Sequence, residues 1–221
     1  MGSALNIDQL LTAVWETVFM TFVSLFFASL FGLLIGILLY CTQSDGLLEN
    51  RIINRIADVI VNILRAIPFL ILLILLIPIT RALVGTMLGA KAALPPLIAA
   101  ATPFFARMCV IAFQEVDKGT IEASKAMGAS NSQIILKVLL PESMPAIVSG
   151  IAVTGISLVG YTAMAGAIGG GGLGSIALMR GHARNQRLVL YVAVIILVVL
   201  VQIIQTIGTK LTIKTDKRIN K

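Results

Sequence analysis

Charged residues are missing from long stretches of the chain and crowd the borders between them, an alternation that leaves five apolar runs. A membrane-crossing helix needs roughly 20 mostly apolar residues with charges gathered at its ends. No charge lies between Thr17 and Ser44, and the run 18–40 predicts a first span. A second covers 59–79 with Arg65 inside it, and a third covers 92–113, which holds Arg107 together with Pro95, Pro96 and Pro103. The fourth covers 146–168 and stops at Gly169, Gly170, Gly171 and Gly172, because four glycines in a row do not hold a helix. The fifth covers 188–208. The pattern predicts an all-α membrane protein: one transmembrane domain over 1–221, five helices, and a loop at 114–144 between the third and fourth spans.

Composition agrees with lipid as the main solvent. Charged residues make up 12% of the chain, about half the share of a soluble protein, and hydrophobic residues make up 58%. Secreted, disordered and nucleic-acid-binding classes are excluded. The net charge of +7 calls for no nucleic-acid partner, since the basic residues flank apolar runs, where they set orientation and touch lipid headgroups. No basic residue occurs up to Gln9, so the start lacks the charged region of a secretory signal and the first span is expected to stay.

The positive-inside rule chooses between the two orientations. With the C-terminus in the cytoplasm, the inner segments carry Arg51, Arg55, Lys118, Lys125, Lys137, Lys210, Lys214, Lys217, Arg218 and Lys221. The outer ones carry only Arg81, Lys91, Arg180, Arg184 and Arg187. The expected topology is N-terminus outside, C-terminus inside. Cys41 and Cys109 then lie near the reducing side and read as small buried hydrophobes rather than a disulfide.

Arg65 and Arg107 fall at similar depths in their spans. An intramembrane arginine either snorkels to the interface or binds carbonyls and acids inside the bundle, in a structural or gating role. Arg65 precedes Pro68, whose missing N–H leaves a carbonyl free one turn earlier for a guanidinium to fill. No Asp or Glu lies inside the five runs, and the one histidine, His182, is in an outer segment. Carriers driven by ion gradients usually need such a group in the membrane. The chain also lacks any G-x-x-x-x-G-K-[ST] loop, so it has no nucleotide engine of its own. Nothing in the pattern assigns a catalytic residue or a metal site.

Small residues mark where helices meet. Ser24, Ala28, Gly32 and Gly36 recur every four residues along the first span, a stripe that lets another helix approach closely, within one subunit or between two. The fourth span is rich in Gly, Ala, Ser and Thr on all sides, which suits helix packing or a pathway. Ser157, Tyr161, Thr162 and Met164 are its candidates to face a substrate.

The loop 114–144 reads as two short helices. Thr120 is a good N-cap, Glu122 follows in the first turn, Lys125 is placed for the last turn and Gly128 for the stop. Ser130 and Gln133 form a capping box for the second helix, which Pro141 should end near Leu140. In this loop the chain resembles the ABC-importer permeases, whose pattern there is E-A-A, three residues, Gly, nine residues, I-x-L-P. Glu122, Ala123, Ser124, Gly128, Val138, Leu139, Leu140 and Pro141 stand at that spacing, with Ser for the second Ala and Val for Ile. Four segments narrow the likeness to the methionine-uptake permeases: V-W-E-T from Val14, N-I-L-R-A-I-P-F from Asn62, I-P-I-T-R-A-L-V-G-T from Ile77 and V-G-Y-T-A-M-A-G-A-I-G-G-G-G-L-G from Val159.

That resemblance implies a bacterial inner-membrane permease, homodimeric, with two ABC ATPase subunits and an external methionine-binding lipoprotein. The first loop helix would be a coupling helix docking on the ATPase through Glu122, Ala123, Ser124, Gly128, Leu140 and Pro141. This chain would bind no cofactor, ATP and Mg residing on the partner. The expected function is methionine import, of the L and also the D form, by alternating access. The same machine for another small solute is the nearest alternative, followed by an ion-coupled carrier or channel and by a purely structural membrane subunit.

Overall fold

The computed structural model describes residues 7–216, which are helical almost throughout with no strand among them. Residues 1–6 lie outside the described part, as do Lys217, Arg218 and Lys221 from the count of inner basic residues. The first apolar run belongs to a longer helix, α1 (Ile7–Thr42). Its 36 residues extend about 54 Å at the α-helical rise, well beyond a hydrocarbon core of roughly 30 Å. The helix starts earlier than the expected span because Asp8, Thr12 and Glu16 end an apolar run without breaking a helix. Asp8 even suits the first turn, where the dipole favours an acid.

The second expected span is not one helix. It is divided into α2 (Arg51–Ala66), α3 (Phe69–Leu75) and α4 (Ile77–Val84), with α2 and α3 bent by 105°. Pro68 supplies the reason: it cannot donate to the helix ladder and it drives Ile67 into extended backbone at ψ 122°. Arg65, at the end of α2, is exposed and makes no hydrogen bond or ion pair among the described residues. The carbonyl-filling role expected for it is therefore not adopted, because the chain turns away instead of carrying a helix past the proline.

After α5 (Ala90–Gln114) come α6 (Lys118–Ala126) and α7 (Asn131–Ile134). The second loop helix does not end at Leu140 as expected. A single helical rod runs over Asn131–Ala167: α7, a π turn at Ile135–Leu139, and α8 (Leu140–Ala167). In the wider turn the Leu140 N–H donates to the Ile135 carbonyl, five residues back, and this opening accommodates Pro141 without a break.

The glycines after α8 are likewise more than a flexible break. Gly169, Gly171 and Gly172 take positive φ, and the chain re-enters the bundle as α9 (Gly172–Ile176) and a π turn at Ala177–His182. The turn is bonded on both sides, Gly170 N–H to Ala165 O at 2.9 Å and Gly89 N–H to Gly169 O at 2.8 Å. The last helix is α10 (Arg187–Thr215).

α1 lies along α5, and α8 packs against both α5 and α10. The small-residue stripe makes the first contact possible: Ser24, Ala28, Gly32 and Gly36 are all buried. A Cβ at Gly32 would fall 2.9 Å from Phe105 Cδ1 and from the Thr102 carbonyl; at Gly36 it would fall 2.5 Å from Cys109 Cβ. The stripe thus packs within the subunit. Three apolar clusters follow the bundle from end to end, one of Tyr40, Phe105, Phe113, Ile134 and Leu139 beside α6, one around Met20, Leu97 and Leu158, and one of Ala13, Leu173, Ala177 and Ala193 beside α9. Cys41 and Cys109 are free thiols, both buried.

Candidate functional site

The chain between α5 and α8 forms a stiff elbow, and each of its bends has a local cause. Asp117, not Thr120, caps α6, accepting the Thr120 N–H at 3.1 Å. Thr120 is already helical, and its carbonyl accepts the Ser124 hydroxyl at 2.8 Å. Glu122 therefore sits in the middle of α6 rather than in its first turn. An aspartate three residues before Thr120 was the available signal, and carboxylates rank above threonine as caps. Gly128 ends the helix with φ +82°: its N–H donates to Lys125 O at 3.0 Å and the Ala129 N–H to Ser124 O at 3.1 Å, the paired closure of a Schellman turn. The capping box follows at once. Ser130 N–H donates to Gln133 Oε1 at 2.9 Å, and Gln133 N–H to Ser130 Oγ at 3.4 Å.

Two side chains fasten α6 to the bundle. Ile121 enters the cluster of Tyr40, Phe113, Ile134 and Leu139, and Ser124 is buried beside it. Leu140 packs against the same cluster, whereas Pro141 is exposed. The far side of α6 presents Glu122 and Ala123 to solvent and leads to Met127, which is 82% exposed, while Lys125 is exposed one turn from Ile121. Through Ile121 the helix is tied to the ends of α1, α5 and α8. Asn131 adds a tie to the α1–α2 connection, its Nδ2 donating to Leu47 O at 2.9 Å.

On α8, Ser157, Tyr161 and Met164 share one face, with Met164 exposed and the other two half-buried. Thr162 does not belong to it. Helical geometry puts Thr162 well round the axis, and it is buried with its hydroxyl bonded to Val159 O at 2.8 Å. Ser157 likewise satisfies its hydroxyl within the helix, on Val153 O at 3.0 Å. Tyr161 stacks on Phe69 with ring centroids 4.7 Å apart, which sets the first residue of α3 against α8 just past the bend at Pro68.

Arg107 finds an acid. Its Nη2 donates to Asp58 Oδ1 at 2.7 Å and to Asn62 Oδ1 at 2.8 Å, and Asn62 Nδ2 closes the triangle on Asp58 Oδ2 at 2.9 Å. Arg107 therefore ties α5 to α2 instead of snorkelling. The five apolar runs hold no acid, but the helices that extend beyond them do, with Glu16 in α1 and Asp58 in α2. Asp58 and Asn62 stand one helical turn apart, the only sequence sign that they act together.

The model for binding-protein-dependent transport system inner membrane components matches residues 28–212. The chain belongs to that family. The methionine import system permease protein of Bacillus subtilis is 50% identical to it over 215 residues, covering 96% of this chain and 97% of the relative. A probable D-methionine transport system permease protein of Pasteurella multocida is 48% identical over 203 residues, with 92% and 94% covered. Among solved structures, one of inward-facing conformations of the MetNI methionine ABC transporter superposes with a TM-score of 0.95 at 45% identity, covering 98% of this chain and 100% of that one. As a family member the chain is a multi-pass inner-membrane component, and the matched residues take in the whole elbow, the broken α2–α3 unit and the re-entrant α9.

The Arg107 triangle is open to test in this inner-membrane component. Removing the acid leaves a half-buried guanidinium with one neutral partner, and hydrogen bonds to a charged group contribute about 1.5–3 kcal/mol. Asp58→Ala should lower the unfolding midpoint in detergent by about 3–6 °C. Exchanging the pair, Asp58→Arg with Arg107→Asp, should restore at least half of the loss, and no recovery would show that the ion pair is not what holds α2 to α5.

Proposed function

We propose that this chain is the permease subunit of an ATP-driven methionine importer that works by alternating access, with its N-terminus outside and its C-terminus in the cytoplasm. The observation that carries this reading is likeness to methionine permeases over nearly the whole length of both chains. In the assembly, two copies of the chain join two ABC ATPase subunits and receive methionine from an external binding lipoprotein. ATP and Mg belong to the ATPase, and this chain holds neither. Glu122 and Ala123 on the bare face of α6 meet the ATPase, and Ser124, Gly128, Leu140 and Pro141 keep that face in place. When the ATPases close on ATP, the elbow moves as one body because its turns are fully bonded and Ile121 ties it to the α1, α5 and α8 ends. The bundle then rocks between inward and outward states. Ser157, Tyr161 and Met164 on the open face of α8 line the substrate route.

Vesicles holding the permease and its ATPase should accumulate labelled methionine when ATP and the binding protein are present, with ionophores collapsing proton and sodium gradients. Accumulation by the permease alone, abolished by an ionophore, would establish an ion-coupled carrier. ATP-dependent uptake of another solute, with methionine failing to compete, would keep the machine and change its cargo.

A further inference from the structure

The V-W-E-T segment near the start of α1 and the glycine run after α8 lie far apart in sequence, and neither has a part in the elbow. The fold brings them together. The Gly172 N–H donates to Glu16 Oε2 at 2.6 Å, and the next N–H, that of Leu173, donates to Thr17 Oγ1 at 2.9 Å. Thr17 is buried, and its own hydroxyl proton goes to Ala13 O at 2.9 Å, which leaves the oxygen aimed at Leu173 as an acceptor. These two amides are among the free donors that open any helix, and Gly171, the residue before α9, has no side chain to cap them. A neighbouring helix supplies the cap instead.

The backbone is shaped for that contact. Gly171 and Gly172 adopt φ +77° and +72°, and a Cβ on them would fall 2.6 Å from Glu16 Oε2 and 2.7 Å from Thr17 Oγ1. On its other side α9 is pressed against α8, where a Cβ on Gly174 would collide with Ala163 and one on Gly166 with Ser175. The crevice beside Glu16 also contains Gln9, Thr12, Ser175 and Arg180. Arg180 forms no ion pair there among the described residues, and the Glu16 carboxylate accepts from backbone instead. A local Ser or Asp would cap α9 permanently. A cap lent by α1 holds only while α9 and α1 are docked.

We propose that Glu16, assisted by Thr17, is a positioning residue of the transport cycle: an interhelix latch that holds the segment 172–182 on α1 in the inward-facing state and lets go in the outward-facing one. The inference rests on the importer reading above. The fold superposes on a chain from inward-facing structures, and in this conformation the latch is closed. Loosening it shifts the population outward with no change at α6.

The test uses the complete transporter, with Ser175→Cys as a reporter for a membrane-impermeant maleimide and the native thiols buried. Labelling should be slow without ATP and rise about fivefold when the complex is trapped with ATP and vanadate. Glu16→Ala should label at the trapped rate already without ATP, raise ATP hydrolysis in the absence of binding protein about threefold and lower methionine uptake about tenfold. Glu16→Gln keeps an acceptor for the Gly172 N–H and should retain more than half of the uptake. If Glu16→Ala does not assemble, Thr17→Val carries the test with smaller shifts in the same directions, and Thr17→Ser should reverse them. Wild-type labelling and hydrolysis in Glu16→Ala, or Glu16→Gln as impaired as Glu16→Ala in an intact complex, would overturn the latch. Failure of the wild-type complex to move methionine on ATP would overturn the importer reading and leave the labelling result to judge the latch.

Discussion

Gly32→Leu should leave almost no folded protein, with the yield of detergent-stable material falling at least about tenfold. The first added carbon would already be 2.9 Å from the Phe105 ring and from the Thr102 carbonyl, and Ala106 N would be 3.1 Å away. Two of those three neighbours are backbone atoms of α5, which no rotamer change can move. Overpacking a tight core site costs about 1–3 kcal/mol even where side chains give way. Here relief means separating α1 from α5, and both flank the cluster around Phe105 and Phe113. The control is Leu34→Phe, at a position 59% exposed, which should yield normally. Leu33, next to the glycine, is a poorer control because it is half-buried against the same cluster. Normal yield and elution of Gly32→Leu would contradict the close contact of the two helices.

Gly128→Val should break coupling without breaking the fold. A Cβ at Gly128 meets nothing within 4 Å, so the substitution acts through the backbone alone. At φ +82° an L side chain is strained by about 1–2 kcal/mol, and a β-branched one by more. The cheapest escape is to unwind the Schellman turn, which frees α6 from the rest of the elbow. We expect normal membrane insertion, with ATP-driven uptake reduced about tenfold or the ATPase lost on purification. Gly128→Asn, a residue that enters left-handed backbone readily, should keep most of the uptake. Glu122→Ala should reduce uptake only about two- to threefold, since a solvent-facing charge contributes little. Wild-type uptake by Gly128→Val would remove the elbow from the coupling path.

The elbow was the most legible part of the chain because its chemistry is local. Ser130 and Gln133 are three residues apart and Gly128 follows its helix directly, so caps and stops stand beside what they cap. The cap of α6 is equally local, since Asp117, three residues before Thr120, is the stronger cap. The small-residue stripe was legible as a contact, but Phe105, Thr102 and Cys109 as its partners were not, since periodicity marks a face and not what covers it. Among the pathway candidates, Thr162 has a suitable side chain, and only the helix orientation shows that it points into the bundle.

Sequence alone determined the all-helical membrane character of the protein, the location of its apolar runs, the turn between α6 and α7 and the family likeness. Each of these depends on residues a few positions apart or on composition summed over a run. Tertiary structure decided the rest: the 105° bend at Pro68, the passage of the helix through Pro141 by a π turn, the pairing of Arg107 with Asp58 and the capping of α9 by Glu16 and Thr17. A proline states that a hydrogen bond is missing but not whether the chain bends or widens to absorb the loss, which depends on the packing available to each outcome. A buried charge or a free helix end states that a partner is needed, and only the folded chain determines which distant residue meets that need.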